Sequence, residues 1–81
     1  MRSQVNNEGV VGAQARAARA TMLLMLRESV TAQELMCVTG IRTRNGINYL
    51  IDNLSLGYVP IYEIMPGTWA VNRDAIGTLF D

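Results

Sequence analysis

TAQELMCVTGIRTRNGINYLIDNLSLGYV, residues 31–59, is the stretch on which the reading of the whole chain turns. Thr31 stands three residues before Glu34, the spacing at which a hydroxyl accepts from a first-turn amide while the carboxylate reaches back. Leu35, Met36 and Val38 then make a short apolar stripe, and Gly40 permits the left-handed backbone that stops a helix. After Ile41, Arg42 and Thr43, the apolar residues Ile47, Leu50, Ile51 and Leu54 recur at steps of three and four until Gly57. The pattern predicts two helices joined by a turn of three or four residues.

The start of the second helix has two readings. Gly46 lies in its first turn, where glycine costs about 1 kcal/mol relative to alanine, and Asn45-Gly46 is also a common turn pair. Either the helix begins at Thr43, with Gly46 letting it approach the first helix closely, or it begins only after Gly46. The first is preferred because it sets Ile47 on the apolar stripe. In both, Arg42, Arg44, Asn45 and Asn48 fall outside the stripe and face solvent.

Working outward, residues 1–11 are polar, rich in Asn and Gly, and aperiodic, which predicts a flexible tail. From about Ala13 to Glu28 the residues are strong helix formers, so an opening helix is expected. Its second half holds five successive apolar residues, Met22 to Leu26, which at 100° per residue point all round the axis. Part of that surface needs cover from the C-terminal segment or from a second copy. Beyond Gly57 the period changes. Tyr58 to Ile64 reads as a strand with a free edge at Pro60, Met65-Pro66-Gly67 as a turn, and Thr68 to Val71 as the returning strand. Asn72 then caps a short helix carrying Ile76, Leu79 and Phe80, expected to dock on the opening helix.

The two central helices with a hairpin behind them resemble the winged helix-turn-helix superfamily of small bacterial, phage and plasmid regulators. The resemblance covers Thr31 to about Val71, preceded by the opening helix. It implies a mainly α fold with a small β-hairpin (α+β): three helices, a two-stranded wing and a short C-terminal helix. Residues 12–81 would be that single domain. It also implies that the second helix lies in the DNA major groove, with the hairpin on the adjacent backbone. Carried onto this chain, Arg42, Thr43, Arg44, Asn45 and Asn48 would meet DNA from the start of that helix. Thr31 and Gln33 would hold phosphate through first-turn amides. Arg16 and Arg19 would meet flanking backbone, and Met65, Pro66 and Gly67 would form the wing tip, which has no cation. Tyr49 could stack on a sugar, but partial packing in the core is preferred.

Charge gives qualified support. The 81 residues have zero formal net charge. All seven cations are arginine, the side chain best shaped for forked contacts to phosphate or guanine. Residues 1–27 carry four arginines against one glutamate, a net of +3; residues 28–81 carry three against six carboxylates, a net of −3. The single Cys37 lies in the apolar stripe and is expected to be a small core residue. No signal peptide or membrane span is read, so a cytoplasmic location is expected. An enzyme is not expected: there is no histidine, no metal-ligand spacing and no glycine-rich phosphate loop. No metal or other cofactor is expected.

The leading reading is a sequence-specific regulator of double-stranded DNA, repressor-like, acting as a homodimer through the opening helix and C-terminal segment. The alternative is a winged-helix module for protein contact, such as a phage factor engaging host machinery. Zero net charge and the uncharged hairpin tip favour that second reading.

Overall fold

The computed structural model of the protein describes residues 8–57 and 59–79, with side chains over 12–57 and 59–77. Among them lie four helices and a three-stranded antiparallel sheet, an α+β fold. In chain order these are α1 (Glu8–Leu26), β1 (Val30–Thr31), α2 (Ala32–Thr39), α3 (Arg44–Leu56), β2 (Ile61–Met65), β3 (Thr68–Val71) and α4 (Arg73–Leu79). Helix α1 begins at Glu8 rather than near Ala13, which corrects the end of the expected tail. Once nucleated, a helix extends at little cost per residue. The rest of the expected tail, residues 1–7, falls outside the described residues. No helix among the described residues is long and apolar enough to cross a membrane.

The central pair forms as its spacing predicts. Thr31, extended at φ −90°, accepts from the Glu34 amide at 3.1 Å, and Glu34 Oε1 accepts from the Thr31 N–H at 2.9 Å. Gly40, at φ 78°, ends α2 and donates its N–H to the Met36 carbonyl. Thr43 caps α3 by accepting from the Gly46 amide at 3.0 Å, so the helix runs through Gly46. The close approach that Gly46 permits is to the turn and not to α2. A Cβ there would lie 2.6 Å from Ile41 Cγ2 and 3.0 Å from Thr43 Oγ1.

Leu24, Val30, Leu35 and Ile47 are the largest fully buried side chains, one each from α1, β1, α2 and α3. Burying such an aliphatic residue stabilises a fold by about 1.5–3 kcal/mol. Ala20, Leu50, Ile51, Leu54, Trp69 and Val71 complete the cluster. In α2 the inward positions are Leu35 and Thr39, one turn apart, while Cys37 is exposed. The expectation of a core cysteine is therefore corrected: Cys37 lies about 200° round the helix from Leu35. The Thr39 hydroxyl is buried at no polar cost, because it donates to the Leu35 carbonyl at 2.6 Å and accepts from the Ile41 amide.

The hairpin is joined by a strand that periodicity does not reveal. β1 pairs antiparallel with β3, Val30 opposite Trp69 and Thr31 opposite Thr68, giving the order β1-β3-β2. The expected two-stranded wing is thus the middle and one edge of a three-stranded sheet. β3 is buried over Trp69, Ala70 and Val71, whereas edge strand β2 is largely exposed. An extra residue on β2 between Glu63 and Met65 bulges that edge. Pro60 precedes the strand, and its carbonyl accepts from the Asn72 amide at 2.8 Å. Asn72 Oδ1 accepts from the Ala75 amide to cap α4, and Ile76 packs on the core.

Of the apolar side chains expected to dock α4 on the opening helix, Ile76 packs on the core shared with Ala20 and Leu24, and those of Leu79 and Phe80 lie outside the described residues. Arg73 donates to the carbonyls of Met25 and Arg27 at 2.7 and 3.2 Å, capping the C-terminal end of α1. Of the apolar run on that helix Leu24 is buried and Leu23 packs on the core, while Met22 and Leu26 remain 62% and 78% exposed.

Candidate nucleic-acid interface

Helix α3 is amphipathic about a sharp boundary. Ile47, Leu50, Ile51 and Leu54 are buried, and Asn45, Asn48, Tyr49, Asp52 and Asn53 are exposed. The buried side chains lock the helix in rotation, so the polar row is displayed on a rigid element. Tyr49 is 69% exposed, which corrects the expectation of partial core packing. On a 100° period it shares the outward face with Asn45 and Asp52.

The two arginines expected to work together point to different tasks. Arg42 is exposed in the turn ahead of α3. Arg44 instead lies against the hairpin. Its guanidinium carbon sits 5.4 Å from the centroid of the Trp69 ring, and Nε donates to Asn48 Oδ1 at 3.3 Å. Nη2 is 3.8 Å from Glu63 Oε2, with both side chains about half exposed (47% and 46%). The guanidinium also occupies space over Gly67, where a Cβ would lie 3.0 Å from Nη1. Arg44 thus ties α3 to the sheet, and its charge is partly balanced.

Gly67 is the junction of three elements. At φ 84° it takes the left-handed turn position, and its carbonyl accepts from the Ala32 amide at 2.8 Å. Its own N–H donates to Glu63 Oε2 at 2.9 Å. The expected wing tip is therefore split: Met65 and Pro66 are exposed, while Gly67 is buried against the start of α2.

That contact also bears on Thr31 and Gln33. Of the amides at the start of α2, Thr31 donates to Glu34, Ala32 to Gly67 and Glu34 to the Thr31 hydroxyl. Glu34 further pairs with Arg27 at 2.9 Å. The Thr31 N–H holds the Glu34 carboxyl below its ordinary value, outweighing desolvation, with the Thr31 hydroxyl and Arg27 adding to the effect. A fixed carboxylate occupies the positive end of α2, which opposes a phosphate at that terminus. The Gln33 side chain is exposed beside it.

Arg16 comes close to α3. It lines a cleft of about 230 Å³ with Ile41, Gly46, Tyr49 and Asn53, which sets a cation beside the outward row. Arg19 is exposed on α1. On the opposite side of α3, a cleft of about 360 Å³ is lined by Arg44, Asn48, Ile51, Asp52, Glu63 and Trp69. The two sides of the helix therefore differ in charge: Arg16 stands on one, and Arg44 with Glu63 and Asp52 lines the other. Glu63 is not among the residues that the sequence singles out. The signal present was its place on a strand four residues before the Gly67 of a Pro-Gly turn, from which a side chain can reach the turn amide.

No protein-family model, curated protein or solved structure matches the chain.

Proposed function

We propose that the protein is a double-stranded DNA-binding regulator of the winged helix-turn-helix type, with α3 entering the major groove. The observation that carries this reading is the outward row of α3. Arg42, Asn45, Asn48 and Tyr49 are exposed around its first two turns while Ile47, Leu50, Ile51 and Leu54 hold it from behind. The Asn45 amide matches the paired donor and acceptor of adenine in the major groove, Asn48 offers its Nδ2 donor while its Oδ1 accepts from Arg44, and an arginine at the helix start matches guanine or phosphate. Arg16, beside Tyr49, extends the cationic side toward flanking backbone. Arg44 is left out of this set as a base reader, because it is committed to the hairpin.

So few free cations make one copy a weak binder. Two copies reading half-sites one helical turn apart would supply the rest. The exposed Met22, Met25 and Leu26 of α1 offer apolar surface for such a pairing. Selection of bound sequences from a random duplex library should enrich an inverted repeat. Arg42→Ala should weaken binding to all sequences and flatten the log–log salt dependence by about 0.9, the release expected from one phosphate contact. No enrichment, or a slope untouched by Arg42→Ala, would remove the reading.

One observation favours a second function, a protein-docking module. Edge strand β2 exposes the apolar side chains of Tyr62 (53%), Ile64 (47%) and Met65 (58%) and carries no cation, unlike a DNA-facing wing. Binding through that surface would respond little to salt and would be lost on Ile64→Asp. Arg42→Ala would leave it intact.

A further inference from the structure

Glu63 is positioned from two sides. Its Oε2 accepts from the Gly67 amide at 2.9 Å and lies 3.8 Å from Arg44 Nη2. Gly67 is fixed by the Ala32 amide on its carbonyl, and Arg44 by Asn48 and the Trp69 ring. Asp52 faces the same cleft. One guanidinium and two carboxylates thus line this cleft, a local net charge of −1, on the side of α3 next to the hairpin.

We propose that Glu63 is a selectivity residue of the DNA interface: it occupies Arg44 and closes the cleft between α3 and the hairpin to phosphate. The duplex is then held only from the Arg42 and Arg16 side of α3. This rests on the DNA reading above and deepens it. A phosphate oxygen entering the cleft would have to displace a carboxylate tethered to a backbone amide, next to a second carboxylate. Like charges at that range oppose it. Phosphate neutralisation supplies the sequence-independent part of DNA affinity, and base contacts supply discrimination. Masking Arg44 therefore lowers binding to every sequence alike and leaves the outward row of α3 to choose among them.

Glu63→Gln retains a carbonyl oxygen for the Gly67 amide and removes the charge. Its affinity for random-sequence duplex should rise, and its log–log salt dependence should steepen by about 0.9, as one more phosphate is engaged. Arg44→Ala alone should leave the wild-type slope unchanged, and the double variant should return to it. An unchanged slope in Glu63→Gln, or a flatter one in Arg44→Ala, overturns the proposal. A second readout needs no DNA: the Arg44 Nε–Hε resonance, followed during titration with inorganic phosphate. It should move in Glu63→Gln and stay still in the wild type. Equal responses in the two overturn the mask, whether or not duplex is bound. A differential phosphate response with no duplex binding by either form overturns the DNA reading instead, and confines Glu63 to anion exclusion.

Discussion

Gly46→Ala should destabilise the protein, although alanine is the better helix former. On propensity alone the change would add up to about 1 kcal/mol of stability. The surroundings reverse the sign. The new Cβ would lie 2.6 Å from Ile41 Cγ2 and 3.0 Å from Thr43 Oγ1. The first is a methyl group on a branched Cβ, whose stiff χ1 lets it move only at the cost of an unfavourable rotamer. The second is the cap oxygen bound to the Gly46 amide itself. Overpacking of this kind costs about 1–3 kcal/mol, and a displaced Thr43 forfeits a further part of a cap contribution of about 1 kcal/mol. The net is a loss of about 1–2 kcal/mol. For a domain of this size that corresponds to a fall in Tm of roughly 5–15 °C. Urea unfolding followed by circular dichroism measures it. Ile41→Ala removes the obstructing methyl, so in that background Gly46→Ala should be neutral or stabilising by up to about 1 kcal/mol, a coupling within the usual range for touching residues. A Gly46→Ala protein as stable as its parent, or an equal effect in both backgrounds, would refute the steric argument.

Two further predictions concern stability. Leu24→Ala empties a fully buried site in α1 and should cost about 3–4 kcal/mol, much of the stability of so small a domain, read as a large drop in the urea midpoint. The Glu34 carboxyl is held below its ordinary value in the folded state, so its contribution is present above the unfolded-state value near 4.5 and is lost as pH falls through the folded one. Carboxylate NMR should place its midpoint below 4.5, and Glu34→Gln should flatten the loss of stability between pH 4.5 and lower values.

What could be read from the chain alone were the features whose partners lie within about four residues. The Thr31–Glu34 box, the Gly40 stop, the Pro66-Gly67 turn and the Asn72 cap are each closed by a local hydrogen bond or a local dihedral preference. The inward row of α3 was equally legible, because a 3.6-residue period reports which face is buried before its partner is known. Only the tertiary structure decided the long-range choices. A two-residue strand has no period to detect, and β1 exists because Val30 and Thr31 meet β3. Thr39 is buried and Cys37 exposed because packing selected a face of α2 that hydropathy did not mark. Arg44 is one residue beyond a cap and would pass for a free cation in any linear reading. It turns to the sheet because Trp69 and Glu63 come back beside it, and because Gly67 has no side chain to keep it out. Local chemistry settles where helices start and stop, but which charges remain free depends on what the fold returns to their side.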